Sequence, residues 1–202
     1  NTIFSRNTVT GTGAYYGGAM FVSGGTSFIT NTSFSKNTIG YVNTSATLSY
    51  GGALYRNGGT VTLNNSVLWG NGRGNNVADQ LNAGITANNN IIQGNYLTGT
   101  EIKFGDPMFE NAAADDLRLK NGSLAIDAGQ NSYQVFSTDL LGKTRVVNEI
   151  VDLGAYENEG GGSIMIQPVT IDPLMRGLLL NLQLTTTGTS LAVKWTLQGG
   201  KL

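Results

Sequence analysis

A chain of 202 residues with 40% hydrophobic side chains can bury a core in one or two domains, and its net charge of −1 with scattered basic residues lacks the footprint of a nucleic-acid binder. There is no Cys and no His, which removes disulfides, thiolate metal sites, thiol nucleophiles and the commonest general base. Gly contributes 29 residues against three Pro, a turn-rich β composition, and no apolar run approaches the roughly 20 residues of a membrane-spanning helix.

The first hundred residues repeat themselves. YGGAMFVSGGT (Tyr16 to Thr26) returns 34 residues later as YGGALYRNGGT (Tyr50 to Thr60). Interleaved with it run NTIFSRN from Asn1, NTSFSKN from Asn31, NSVLWGN from Asn65 and NNIIQGN from Asn89, with starts 30, 34 and 24 residues apart. A unit of this length cannot bury its own apolar face, so the repeats must stack. The runs AMF, SFIT, NTSF, ALY and TVTL are short, β-branched or aromatic, and bounded by Gly or Asn, as strands are. The expected fold is therefore all-β, a right-handed parallel β-helix of about four coils over residues 1–103, each strand pairing with its equivalent one coil away.

Stacking predicts which residues meet. Phe4, Phe34, Leu68 and Ile92 share one position and are expected to form an inward apolar ladder, with Met20 and Leu54 as another rung. Asn7, Asn37, Asn71 and Asn95 recur three residues further on, where Asn tolerates the left-handed conformation and can bond its neighbour in the next coil. Gly17, Gly18, Gly51 and Gly52 are read as backbone bends. Tyr15, Tyr16 and Tyr50 precede the bend and are the candidate glycan-contact aromatics, with packing the competing role.

GGAM and GGAL, with FSRN, FSKN and the looser LWGN and IQGN, resemble the GGA-I and F-x-x-N repeats of the polymorphic outer-membrane proteins of chlamydiae. That resemblance implies a β-helical passenger of a surface adhesin. Residues 1 to 100 contain a single acidic residue, Asp79. Pectate-type lyases need clustered carboxylates for Ca²⁺, and glycosidases need two facing the scissile bond, so one aspartate supplies neither.

Composition changes after residue 100, where 11 of the 13 acidic residues fall between Glu101 and Glu159. The run DPMFENAAADDLRLKNGSLAIDAG, then TDLLGKTRVV, then VDLGAYE resembles the C-terminal part of the choice-of-anchor Q family of bacterial surface proteins, departing from it at Leu124, where Pro is usual. The resemblance implies an irregular cap over residues 104–159 that closes a β-helix, with Asp106, Asp127, Asp139, Arg145, Asp152 and Glu157 in its motifs. Asp127, Asp139, Asp152 and Glu157 either gather around Ca²⁺ or accept turn amides and pair with Arg145 or Arg118; the second is favoured, and no cofactor is expected. Asp115 and Asp116 are assigned to a solvated turn, and the segment as a whole to covering the last coil.

Residues 160–202 open with a Gly-rich link, followed by strand-like IMIQPVTI, GLLLNLQLTTT and SLAVKWTL, with Trp195 as an expected core residue: a linker and the start of a β-rich sorting or anchor module. With no initiator Met, and a start inside a repeat, the chain reads as the C-terminal part of a longer protein whose upstream coils are its nearest partner. The expected function is a secreted or outer-surface, non-catalytic adhesin or structural piece that contacts a polysaccharide or cell-surface ligand. The alternative is the cap of an extracellular polysaccharide lyase or hydrolase with its active site upstream.

Overall fold

Equivalent positions of successive repeats pair in parallel, and that pairing organises the molecule. The computed structural model describes residues 1–11, 15–40, 51–73, 80–94, 96 and 98–160; Tyr50, Asp79, Asn95 and the tail with Trp195 lie outside the described residues. The chain divides into two compact units, Asn1–Gly162 and Ser163–Leu202, and all described residues belong to the first. Among them no helix is long and apolar enough to cross a membrane.

The first repeat supplies β1 (Thr2–Ser5), β2 (Thr8–Val9), β3 (Met20–Val22) and β4 (Thr26–Thr30). The following repeats supply β5 (Thr32–Ser35), β6 (Thr38–Ile39), β7 (Leu54–Arg56), β8 (Thr60–Trp69), β9 (Gly72–Arg73), β10 (Ile85–Ile92) and β11 (Gly99–Lys103). These form three parallel sheets: β1-β5-β8-β10-β11 with β4 also on β8, then β2-β6-β9, and β3-β7. Every strand in them is short or kinked because each repeat turns a corner within it.

The corner residue is left-handed. Asn31, Asn65, Asn89 and Glu101 have φ of 49°, 47°, 51° and 53°, and the flanking register places them at the same position in successive layers of the stack. Asn is the L-residue that enters this region most readily. The second left-handed position is the residue before the F-x-x-N asparagine: Arg6 at 54°, Lys36 at 56°, then Gly70 at 74° and Gly94 at 96°. This corrects the expectation for Asn7, Asn37 and Asn71, whose backbones are not among the left-handed ones. Their amides need only point along the stack, and the preceding residue makes the turn that aims them.

Those amides do form a ladder. Asn7 Nδ2 donates to Asn37 Oδ1 at 2.8 Å, Asn37 Nδ2 to Asn71 Oδ1 at 2.7 Å, and Asn71 Nδ2 to Gln80 Oε1 at 2.7 Å. The Asn37 and Asn71 oxygens also accept the backbone N–H of the preceding rung, at 3.0 Å from Asn7 and 2.9 Å from Asn37. Gln80, which repeats no motif, thus takes the rung beyond Asn71.

Alternation within the kinked strands makes two cores. Inward, Phe4 pairs with Phe34, Phe34 with Leu68 and Leu68 with Ile92, the two rings stacking at 4.9 Å, and Met20 pairs with Leu54. Gly18 and Gly52 let adjacent layers approach, since a Cβ would fall 2.2 Å from Gly52 O and from Gly72 N respectively. Outward from the same sheet, Ile3, Val67, Trp69 and Ile91 pack against Phe109, Leu117, Leu119, Ala125 and Leu153.

Residues 104–160, with the hairpins β12 (Phe109–Asn111) and β13 (Asp116–Leu119), then β14 (Val146–Val147) and β15 (Ile150–Val151), therefore lie along the side of the stack. The expectation is that the segment covers the last coil; among the described residues β11 pairs with β10, and what the segment covers is the outer face on which Val67 and Ile91 would otherwise meet water. It holds each layer. Gly154 N–H donates to Asn65 O, Ala155 N–H to Ser33 Oγ, and Asn1 Nδ2 to Thr138 O. Asp115 accepts from Ser5 Oγ at 2.6 Å and from Arg6 Nε at 2.8 Å, so it is a cross-link to the first strand as well as part of a turn.

Replacing Asn37 by Ala removes two accepted and two donated side-chain bonds from a fully buried position and is expected to lower stability by about 2–4 kcal/mol. Lys36→Gly, which puts at this left-handed position the residue found at 70 and 94, is expected to be neutral or stabilising by up to about 1 kcal/mol. Urea unfolding midpoints of the two variants check both signs.

Candidate functional site

The residues singled out in the sequence fall into two places, one exposed and one buried. On the outer side of β3 and β7 the alternation that turns Met20, Val22 and Leu54 toward the core leaves Phe21 and Tyr55 outward, and the register pairs them across the layers. Their rings stack at 5.7 Å with planes 11° apart. Tyr16 then packs on Tyr55 at 4.5 Å. Phe21 is 49% exposed, so one end of this three-ring row is open to solvent. The structure brings Tyr16 into the row, sets Tyr15 half-buried beside Gly11, and adds Phe21 and Tyr55, which the sequence reading passed over. Their signal was present: they hold the same place in GGAMFV and GGALYR.

A shallow groove of about 260 Å³ lies on the other flank, lined by Trp69, Asp106, Met108, Phe109, Ala112 and Lys120. Asp106 uses Oδ1 to accept the Met108 N–H at 2.8 Å, fixing the turn after Gly105. Trp69 contributes from the end of β8, where outward alternation directs it toward the lateral segment.

The buried place is built by the motifs of residues 127–157. Arg145 is fully buried, and its Nη2 donates to the carbonyls of Asp152 at 2.9 Å and Gly154 at 2.5 Å, while Nη1 stands 3.7 Å from Glu157 Oε2. Glu157 accepts the N–H groups of Val147 and Asp152, at 3.0 and 3.1 Å. Asp152 accepts those of Asp127 and Asn158, both at 2.7 Å. Asp139 accepts from Leu141, Lys143 and Glu157, at 2.8, 2.9 and 3.1 Å. Five of the six motif residues thus form one cluster that ties irregular backbone together, while Asp106 stands apart.

Burial dominates the electrostatics of this cluster. Loss of water pushes Glu157 up to about 8, reinforced by the charge of Asp152 and opposed by its two N–H donors and Arg145. The same loss pushes Asp152 up to about 6, opposed by the N–H groups of Asn158 and Asp127. Burial also raises Asp127, whose Oδ1 finds no partner among the described residues. Burial is thus the main cause at all three, and repulsion between Asp152 and Glu157 adds to it, so a proton held within the group relieves both.

This arrangement suits structure better than chemistry on a substrate. Asp152 and Glu157 are 0% and 6% exposed, so neither carboxylate can reach a substrate bond. Among the described residues no group of three His, Cys, Asp or Glu is placed to hold a metal ion. No family model matches the chain, and no curated protein or solved structure matches it.

Two measurements follow from the cluster. Both Asp152 and Glu157 have folded pKa values raised above their ordinary ones, so the stability they contribute is full below about pH 4 and is lost as pH rises through about 6 and then about 8. The urea midpoint is therefore expected to fall between pH 5 and pH 8.5, and the decline should flatten in Glu157→Gln. Arg145→Met strands the carboxylates without a cation and is expected to cost about 3–5 kcal/mol at pH 7.5, and less at pH 5.

Proposed function

We propose that this chain is a stretch of right-handed parallel β-helix, about four coils long, from a secreted or cell-surface bacterial adhesin or structural protein, and that it contacts glycans or a cell surface without catalysis. Three parallel sheets joining equivalent positions of successive repeats support the β-helix part of this reading. The observation that carries the contact role is the outward row Tyr16–Tyr55–Phe21, with the free face of Phe21 at its end. A sugar ring stacks its C–H face on such an aromatic, and neighbouring hydroxyls and amides take its polar edge. Residues 104–160 serve as a lateral brace, and a role outside the cell is the reading that the resemblances to polymorphic outer-membrane proteins and choice-of-anchor Q proteins favour.

The test is retention on a panel of bacterial, plant and host polysaccharides, with released reducing ends and unsaturated products assayed in the same samples. Retention without product is expected, and Phe21→Ala together with Tyr55→Ala should weaken it by roughly tenfold, the equivalent of one stacked ring. Retention that ignores both substitutions would remove the aromatic row from the reading. Product release would replace the adhesin with an enzyme.

A further inference from the structure

An asparagine followed by glycine can modify itself, because glycine has no side chain to shield its amide nitrogen and the asparagine side chain reaches that nitrogen to close a small ring. The chain contains three such pairs, Asn57–Gly58, Asn71–Gly72 and Asn121–Gly122. The fold treats them differently. Asn71 is fully buried, its amide is held by Asn37, Phe34 O and Gln80, and Gly72 N–H donates to Asn37 O at 2.9 Å. Asn57 is exposed, but its N–H and that of Gly58 both donate to Val22 O, at 2.8 and 3.4 Å, which ties the reacting nitrogen to the adjacent layer. Asn121 and Gly122 are both exposed, in the turn after β13 that Ser123 N–H closes on Lys120 O at 3.1 Å. Among the described residues Gly122 N–H donates to no group. With φ of 86° and open space where a Cβ would stand, this glycine leaves its nitrogen bare. The Asn121 amide is held by one long bond, from Asn158 Nδ2 to Oδ1 at 3.4 Å, so the side chain is free to turn onto that nitrogen.

We propose that Asn121–Gly122 is a self-modification site, where the chain converts a neutral amide into a carboxylate with water as the only co-reactant. Gly122 N gives up its proton and attacks Asn121 Cγ. The N–Cγ bond forms, the Cγ–Nδ2 bond breaks, and Nδ2 takes up the proton and leaves as ammonia. Water then opens the cyclic imide. Opening at Cγ gives aspartate; opening at the main-chain carbonyl gives isoaspartate, in which the backbone runs through the former side chain and is longer by one methylene. Either product adds one negative charge to a chain whose net charge is −1. The longer backbone has the structural consequence, because the turn feeds directly into buried Ser123. Ser123 Oγ donates to Pro107 O at 2.5 Å and accepts Ala125 N–H at 3.1 Å, joining the start of the β12–β13 hairpin to the motif segment that follows it. An isoaspartate at 121 shifts Ser123 off those partners. The site is therefore a clock that loosens the lateral brace as the protein ages, and it does not depend on glycan contact.

The full chain is incubated in mildly alkaline buffer and sampled over time, and peptide mapping by mass spectrometry follows amide loss and isoaspartate at each of the three pairs. A parallel incubation in urea gives the rates without the fold. In urea the three pairs are expected to convert at similar rates. In the folded chain Asn121 should stay within roughly tenfold of its unfolded rate, while Asn71 slows by at least about a hundredfold, since it reacts only when its layer opens. Asn57 should fall between them. The urea midpoint of the aged protein should drop as isoaspartate accumulates. Asn121→Gln, an exposed substitution whose longer side chain must close a larger ring, should hold that midpoint constant over the same period. The site is overturned if Asn121 converts no faster than Asn57 in the folded chain. The clock is overturned if the midpoint is unchanged at full conversion, or if Asn121→Gln loses stability with age as the parent chain does.

Discussion

The in-register parallel pairing of the repeats is the constraint on which everything else rests. It fixes only strand and corner positions, so repeats with starts 30, 34 and 24 residues apart can share one register. What must recur at each level is a left-handed corner, and Asn31, Asn65, Asn89 and Glu101 supply it in turn. Once the corner is set, strict alternation decides that Phe34, Leu68 and Ile92 enter the core while Val67 and Ile91 leave it. A shift of one residue would exchange those two sets, forcing the larger Phe–Leu–Ile ladder against the lateral segment and Val67 and Ile91 into the inner core, so that neither core would fit.

The asparagine ladder follows from the same geometry. With layers about 4.8 Å apart, a side-chain amide held at the turn reaches both the backbone N–H and the amide of the adjacent layer. Asn37 uses its full capacity, accepting from Asn7 twice and donating to Phe4 O and Asn71 Oδ1. A buried amide so satisfied avoids the penalty of an unpaired polar group and, being specific in direction, disfavours slipped registers that a purely apolar core would tolerate.

Much of this was legible in the sequence because stacking converts spatial neighbours into repeated residues. The ladder of Phe4, Phe34, Leu68 and Ile92 and the rungs at Asn7, Asn37 and Asn71 could be read directly from the motif copies. The left-handed turn before those asparagines could not, since Arg6, Lys36, Gly70 and Gly94 share a backbone angle and no side-chain chemistry. Gln80 was hidden for a related reason: it fills a rung without belonging to a repeat. The candidate contact row was half legible, with Tyr16 named and Phe21 and Tyr55 passed over, because a conspicuous Tyr-Tyr pair outweighed the alternation that turns the latter two outward. The lateral position of residues 104–160 was illegible, because its partners are scattered over the whole repeat region and Ile3, Ser33, Val67 and Ile91 are not one residue type.

That lateral segment changes the physics of the stack. Repeats that touch only their neighbours can unfold one at a time from an end. Here a single stretch touches the first layer through Arg6 and Asp115, the next through Ser33 and Ala155, the third through Asn65 with Gly154 and Gln130, and the fourth through Ile91 in the outer core. Fraying any one layer therefore breaks contacts to a segment whose own backbone is held by Arg145, Asp139, Asp152 and Glu157. The buried ionic cluster, a poor source of net stability by itself, gains its value by keeping that segment in one shape, so that four otherwise separable layers are bound into one cooperative unit.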